Sequence, residues 1–146
     1  MWRKILHTDA ERATILIRLM VGAVFLSEGY QKFLFPFLRG VGRFERIGIP
    51  APEFFGYFVA GFEVACGLLI LFGLFTRLAS IPLITIMIVA IYSTKLPVLI
   101  DQGIWHMLHD GRTDYAMFLG SIFLLLKGGG RWSLDRKLTE RFQQQL

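Results

Sequence analysis

The sequence has a single cysteine, Cys66, so it can form no intrachain disulfide and no self-contained dithiol pair. It also lacks a P-loop, a dinucleotide glycine fingerprint, a nucleophile elbow and a zincin motif. No haem, flavin or iron–sulfur ligation pattern is present either. Charge is scarce, at 18% of 146 residues, while 54% are hydrophobic. That balance excludes a disordered chain and fits a polytopic membrane protein of one compact domain, residues 1–146. The formal charge of +5 is carried mainly by clusters that abut apolar segments. Anionic lipid headgroups are therefore expected as partners, and nucleic acid is not.

What the chain does have is four long apolar segments, predicted as an all-α bundle of four transmembrane helices. The spans fall at about 13–35, 53–75, 78–99 and 112–127. The first is too long and too charged for a signal-peptide core, so it is read as a retained span. Pro36 closes it, and a loop to Pro52 follows, carrying Arg39, Arg43 and Arg46. A turn at Thr76-Arg77 makes spans 2 and 3 a tight hairpin, and Pro97 kinks or ends span 3. Residues 100–113 read as a polar loop. The uncharged core of span 4, 115–126, gives only about 18 Å of helix. It must use Arg112 and Lys127 as snorkelling ends to approach a ~30 Å hydrocarbon core. Gly128-Gly129-Gly130 stops it.

Amphipathic interfacial segments flank the spans: Trp2, Ile5 and Leu6 among basic residues at the N-terminus, and 131–146 at the C-terminus. Four spans put both termini on one side. That side holds Arg3, Lys4, Arg12, Arg77, Lys127, Arg131, Arg136, Lys137 and Arg141, so the positive-inside rule places both termini in the cytoplasm.

Five charges fall inside the spans: Arg18, Glu28, Lys32, Glu63 and Lys95. A charge at the bilayer centre costs about 2.5–3.5 kcal/mol on insertion scales, against ~0.3–0.6 kcal/mol regained by one Leu or Phe. These charges should therefore turn inward. Counting 100° per residue from Arg18, Gly22, Phe25, Gly29 and Lys32 lie within roughly 40° of it, with Glu28 on the shoulder. Gly56, Ala60, Glu63 and Gly67 share a face of span 2, and small residues allow close approach. Depth counting pairs Glu63 with Arg18, and Glu28 with Lys32 as an outer i,i+4 pair. Two readings follow. One is a polar pocket between spans 1 and 2 that takes a small polar ligand or relays protons. The other is an ion pair that fixes helix register. Lys95, near the end of span 3, is read as snorkelling to the interface. His106-x-x-His109-Asp110 has two histidines and an acid but no third fixed ligand, so it falls short of a metal site.

Taken together, the pieces resemble the DoxX family of small bacterial inner-membrane proteins. The resemblance runs through Arg18-Leu19-Met20-Val21-Gly22, Phe25-Leu26-Ser27-Glu28-Gly29-Tyr30-Gln31-Lys32 and Gly48-Ile49-Pro50-Ala51-Pro52. It continues through the run from Glu63-Val64-Ala65-Cys66-Gly67 to Thr76-Arg77 and ends at Gly128-Gly129-Gly130-Arg131-Trp132-Ser133-Leu134-Asp135. The resemblance implies a redox-associated, quinone- or sulfur-compound-linked subunit of the inner membrane. Arg18, Glu28, Lys32, Glu63 and Arg77 are the residues it carries over. It also implies redox-enzyme partner subunits or a homo-oligomer. The alternative is a non-enzymatic scaffold or assembly factor.

Overall fold

The computed structural model describes residues 11–144 and is all-helical, with no strand among them. Its elements are α1 (Thr14–Leu34), α2 (Val41–Arg46), α3 (Pro52–Phe72), α4 (Thr76–Ala90), a π-helical stretch (Ile91–Lys95), α5 (Leu96–Gln102), α6 (Ile104–Asp110), α7 (Arg112–Lys127) and α8 (Leu134–Gln144). The expected amphipathic lead-in at Trp2, Ile5 and Leu6 lies outside the described residues, as do 145 and 146.

Helix boundaries follow local chemistry. The α1 helix stops where Pro36 cannot supply a donor, and the Phe35 N–H closes the last turn on the Gln31 carbonyl. Pro52 opens α3, where its missing N–H costs nothing, behind Ala51 in the left-handed region (φ 48°). Gly73 (φ 67°) ends α3 in the manner of a left-handed C-cap. Phe75 (φ 49°) then adopts the same region without being glycine, a strained conformation that needs outside support.

The long helices pack in a closed ring: α1 on α3, α3 on α4, α4 on α7, and α7 back on α1. Glycines set the closest contact. A Cβ added to Gly29 would stand 2.8 Å from the Ala60 carbonyl oxygen, and one on Gly67 would stand 2.8 Å from the Leu26 nitrogen. Between them lies a core of Val21, Phe25, Ile70, Leu83 and Leu124, all but closed to solvent. The outward faces are also apolar: Leu16, Phe54, Phe58, Phe72, Ile88 and Tyr92 are exposed.

Two helices, Pro52–Phe72 and Thr76–Gln102, are long and apolar enough to cross a membrane. Only 17% of the second helix's most apolar window is buried, the reverse of what a core helix in a water-soluble protein shows. The α1 helix carries three charges, and α7 has 16 residues, about 24 Å of helix.

Three sequence expectations change. The helix beginning at Thr76 does not end at 99 but continues to Gln102, where Gly103 (φ 86°) stops it. Its irregularity is the π-helical stretch just before Pro97, a proline inside the continuous helix whose missing N–H takes one donor from the ladder. The polar loop expected at 100–113 is largely helix, because Ile104, Trp105, Met107 and Leu108 give the stretch between Gly103 and Gly111 enough apolar character for two turns. The loop at 36–52 likewise contains α2, anchored by buried Phe44.

Candidate functional site

Charged side chains are buried at both ends of the ring. Arg18, 3% exposed, lies at the end where α1 begins and α3 and α7 finish. Its Nε donates to the Ile70 carbonyl (2.9 Å) and Nη2 to Leu71 (2.6 Å). Nη1 donates to Gly129 (3.1 Å) and Trp132 (2.6 Å). Ile70 and Leu71 lie in the last turn of α3, whose final carbonyls have no partner within the helix. The guanidinium fork thus caps α3 and ties it to the glycine loop after α7.

Asp135 completes this end. Its carboxylate accepts from the Phe75 N–H (2.6 Å) and the Thr76 N–H (3.0 Å), and its own N–H donates to the Gly73 carbonyl (2.9 Å). It serves as a long-range N-cap for α4 and holds Phe75 in its strained conformation. Burial pushes its carboxyl above the usual aspartate range, against the pull of these two donors and of Arg18. Arg77, also at this end, donates to the Leu126 carbonyl (2.7 Å).

At the opposite end Lys32 Nζ meets Glu63 Oε2 at 2.5 Å, both side chains nearly closed to solvent. This corrects the expected Arg18–Glu63 pair. The glycine contacts set an antiparallel register in which Gly22 faces Gly67 and Leu71 while Gly29 faces Ala60 and Glu63. Arg18 therefore falls level with the end of α3, and Glu63 falls one turn from Lys32. The expected Glu28–Lys32 pair is also replaced: Glu28 faces Arg39 at 3.9 Å, with both side chains substantially exposed. Backbone and side chains close on Gly29 at 2.8 Å beside the pair, and both charged side chains are nearly closed to solvent.

Lys95, on the π-helical stretch, does not snorkel outward as expected. It is 8% exposed, with Nζ 2.7 Å from Asp110 and 3.2 Å from Asp114. The widened helical turn directs it across to α6 and α7. The hydrogen bond and charge of Lys95 hold the Asp110 carboxyl below the usual aspartate range. Next to Lys95 an apolar cleft of about 380 Å³ runs between Thr76–Gln102, α6 and α7.

The other candidates are placed apart. His106 Nδ1 is 3.1 Å from the Gln102 carbonyl, and the His109 carbonyl accepts from Arg112 (2.6 Å). No group of three or more metal-ligating side chains occurs among the described residues. Cys66 is buried in the core. Sequence reasoning named Asp110 and Asp135 only within larger motifs, without these partners, and did not single out Asp114. Ser133, whose hydroxyl accepts from the Arg136 N–H at 3.3 Å, signals the start of α8 locally. Nothing local signals that Asp135 caps another helix 59 residues away.

A family model described as DoxX matches residues 13–96. The chain is 51% identical to the "Uncharacterized membrane protein Rv3486" of Mycobacterium tuberculosis (strain ATCC 25618 / H37Rv) over 146 residues, covering 96% of this chain and 90% of that protein. It is 32% identical to the "Putative oxidoreductase CatD" of Bacillus subtilis (strain 168) over 132 residues, covering 89% of this chain and 90% of that protein. No solved structure matches significantly.

Proposed function

The chain belongs to the DoxX family of membrane proteins, and from that premise we propose a multi-pass subunit of the bacterial inner membrane in a redox-associated assembly, linked to a quinone or a sulfur compound. The observation that carries the redox reading is the 32% identity, along nearly the whole chain, to a relative described as a putative oxidoreductase. Electrons come from a partner subunit or substrate, since Cys66 has no second thiol to pair with. Arg18, Glu28, Lys32, Glu63 and Arg77 serve the assembly by fixing the frame.

The four-span reading has physical support. Arg18 and Lys32 of α1 are turned inward and partnered, so its lipid-facing residues, such as Leu16, Leu19, Phe33 and Leu34, are apolar. The α7 helix ends in Arg112 and Lys127, which can reach headgroups. The Arg18 end carries Arg77, Lys127, Arg131, Arg136, Lys137 and Arg141, which favours placing it and both termini in the cytoplasm. There α8, with Arg136, Lys137 and Arg141 among Leu134 and Leu138, lies on anionic headgroups.

Affinity purification of the tagged chain from native membranes tests the redox reading. Stoichiometric recovery of a redox enzyme is expected, and recovery of the chain alone or as a homo-oligomer contradicts it. A C-terminal alkaline phosphatase fusion tests the topology and is expected to be inactive. The second reading, a non-enzymatic scaffold, is favoured by the engagement of the three cations buried among the described residues with acceptors inside the fold. It predicts partner proteins without redox activity in the same purification.

A further inference from the structure

The α8 helix has 11 residues, short of the roughly 12–15 at which even a good isolated helix is marginal in water. Among the described residues it packs on no long helix as those pack on one another. Its first turn is bonded to the ring; the remainder needs a surface. We infer that this surface is an anionic bilayer, and that α8 transmits headgroup charge to the α3–α4 turn: docking on anionic lipid fixes Asp135 and so closes the N-terminus of α4. The inference rests on the reading that α8 lies on cytoplasmic headgroups and adds to it a coupling between lipid and fold.

Register and charge choose the surface. Counting 100° per residue from Leu134, Asp135 and Thr139 fall at about 100° and 140°, while Lys137 and Arg141 fall at about 300° and 340°. Asp135, 1% exposed, marks the flank that faces the ring. Leu134, Lys137 and Arg141 lie together on the other flank, and all three are exposed. An apolar side chain beside two long cations, next to the exposed Trp132, suits the interface of an anionic membrane. Arg136, at about 200°, is on the back of the helix, where Glu140 engages it at 2.7 Å. Lys137 and Arg141 are therefore the headgroup contacts.

The coupling runs through the first turn of α8. There the Asp135 carboxylate accepts from the Phe75 and Thr76 N–H groups, and the Asp135 N–H donates to the Gly73 carbonyl. Phe75, at φ 49°, occupies a region that a bulky side chain rarely enters, so the turn keeps its shape while this acceptor stays in place. The residues leading into α8 are bonded into the same unit. The Trp132 carbonyl accepts from Arg18 Nη1, and the Ser133 hydroxyl accepts from the Arg136 N–H. A surface that stabilises α8 in this position stabilises the capped turn as well, and the linkage is reciprocal.

The test uses full-length protein in nanodiscs of phosphatidylcholine, with or without phosphatidylglycerol, and reads hydrogen exchange at single amides. Phosphatidylglycerol is expected to slow exchange in α8 and, in parallel, at Phe75 and Thr76, the latter by about fivefold or more. Lys137→Gln combined with Arg141→Gln alters only exposed side chains and should lose both effects. Arg136→Gln combined with Glu140→Gln removes a surface pair without changing the net charge and should keep both. Asp135→Ala should leave α8 responsive to lipid while making exchange at Phe75 and Thr76 indifferent to it. The two surface variants decide the matter if Asp135→Ala does not fold. Slowing in α8 with no change at Phe75 and Thr76 overturns the coupling and leaves the surface helix standing. An α8 indifferent to phosphatidylglycerol overturns both, and so does a full response in the Lys137→Gln, Arg141→Gln variant. A missing redox partner changes none of these outcomes.

Discussion

The Lys32–Glu63 pair makes the most exacting prediction, because its partners are unequal once separated. Both side chains are buried where α1 and α3 approach most closely, and Nζ and Oε2 are 2.5 Å apart. Removing one partner of a buried pair leaves an uncompensated charge and costs about 3–5 kcal/mol, whereas replacing both with apolar groups of similar volume is often neutral or stabilising. In Glu63→Met, Lys32 can turn to Glu28, one turn earlier on its own helix and otherwise facing Arg39, in the favourable order for an i,i+4 pair. In Lys32→Met, Glu63 is left with the like charge of Glu28 and only the more distant Arg43. Glu63→Met should therefore lie near the lower end, ~3 kcal/mol, and Lys32→Met near the upper end, ~5 kcal/mol. The double variant should return to within about 1 kcal/mol of the parent, giving a coupling of several kcal/mol. Reversible unfolding in mixed micelles, titrated with an anionic detergent, measures all four corners of the cycle. Single variants that each lose under ~1 kcal/mol, or a double variant that loses the sum of both, would refute the claim that packing seals this pair and that its role is to hold register.

Three other outcomes follow from the same geometry. Arg18→Lys replaces a planar fork with a point donor that cannot serve four carbonyls on separate segments, so at least one is left bare at a cost of about 1–3 kcal/mol. Faster hydrogen exchange in 128–134 and α8 should accompany that loss. Gly29→Ala forces a Cβ to 2.8 Å from the Ala60 oxygen and should destabilise by ~1–3 kcal/mol in the micelle assay. Gly61→Ala, with nothing within 4 Å, should stabilise by roughly 0.5–1 kcal/mol through helix propensity alone. Lys95 depresses the Asp110 carboxyl in the folded state. Its stabilising contribution is therefore complete above the ordinary aspartate value, about 3.9, and is lost as pH falls through the lower folded value. Exchange at the α6 amides should accelerate across that acid window in the parent and show no such step in Asp110→Asn.

The helix positions were legible in the sequence because proline, glycine and apolar periodicity act locally: Pro36, Pro52 and Gly128 mark boundaries that the structure keeps, while the turn expected at Thr76-Arg77 falls just before those two residues, at Gly73 to Phe75. The inward turn of Arg18, Lys32 and Glu63 was legible too, since lipid offers a charge no partner. Their pairing was not. Counting residues from assumed membrane edges set Glu63 level with Arg18, but register is decided by which glycine faces which backbone, and that information is shared between two helices. The cluster of Lys95 with Asp110 and Asp114 was hidden for a related reason. Lys95 in an ordinary α-helix near a span end suggests a snorkelling side chain, and nothing in Ile91-Tyr92-Ser93-Thr94-Lys95 signals that the helix widens there.

Four of the charges, Arg18, Lys32, Asp114 and Asp135, nonetheless follow one pattern, to which buried Glu63, midway along α3, does not belong. At the Arg18 end α3 and α7 present their C-termini, and a cation meets the last carbonyls of α3 and one in the loop just after α7. At the same end α4 presents its N-terminus, and a carboxylate, Asp135, meets its N–H groups. At the other end the signs reverse: Lys32 lies in the last turn of α1, and Asp114 lies in the first turn of α7. Each of these charges faces the helix terminus of opposite partial charge, an arrangement worth up to ~2 kcal/mol per site when partly buried. Residues placed by helix polarity and filled by backbone donors or acceptors have little capacity left for a ligand. Lys95 departs from the pattern. It sits on an interrupted helix rather than at a helix end, and its partners are two carboxylates carried by α6 and α7 rather than a helix terminus.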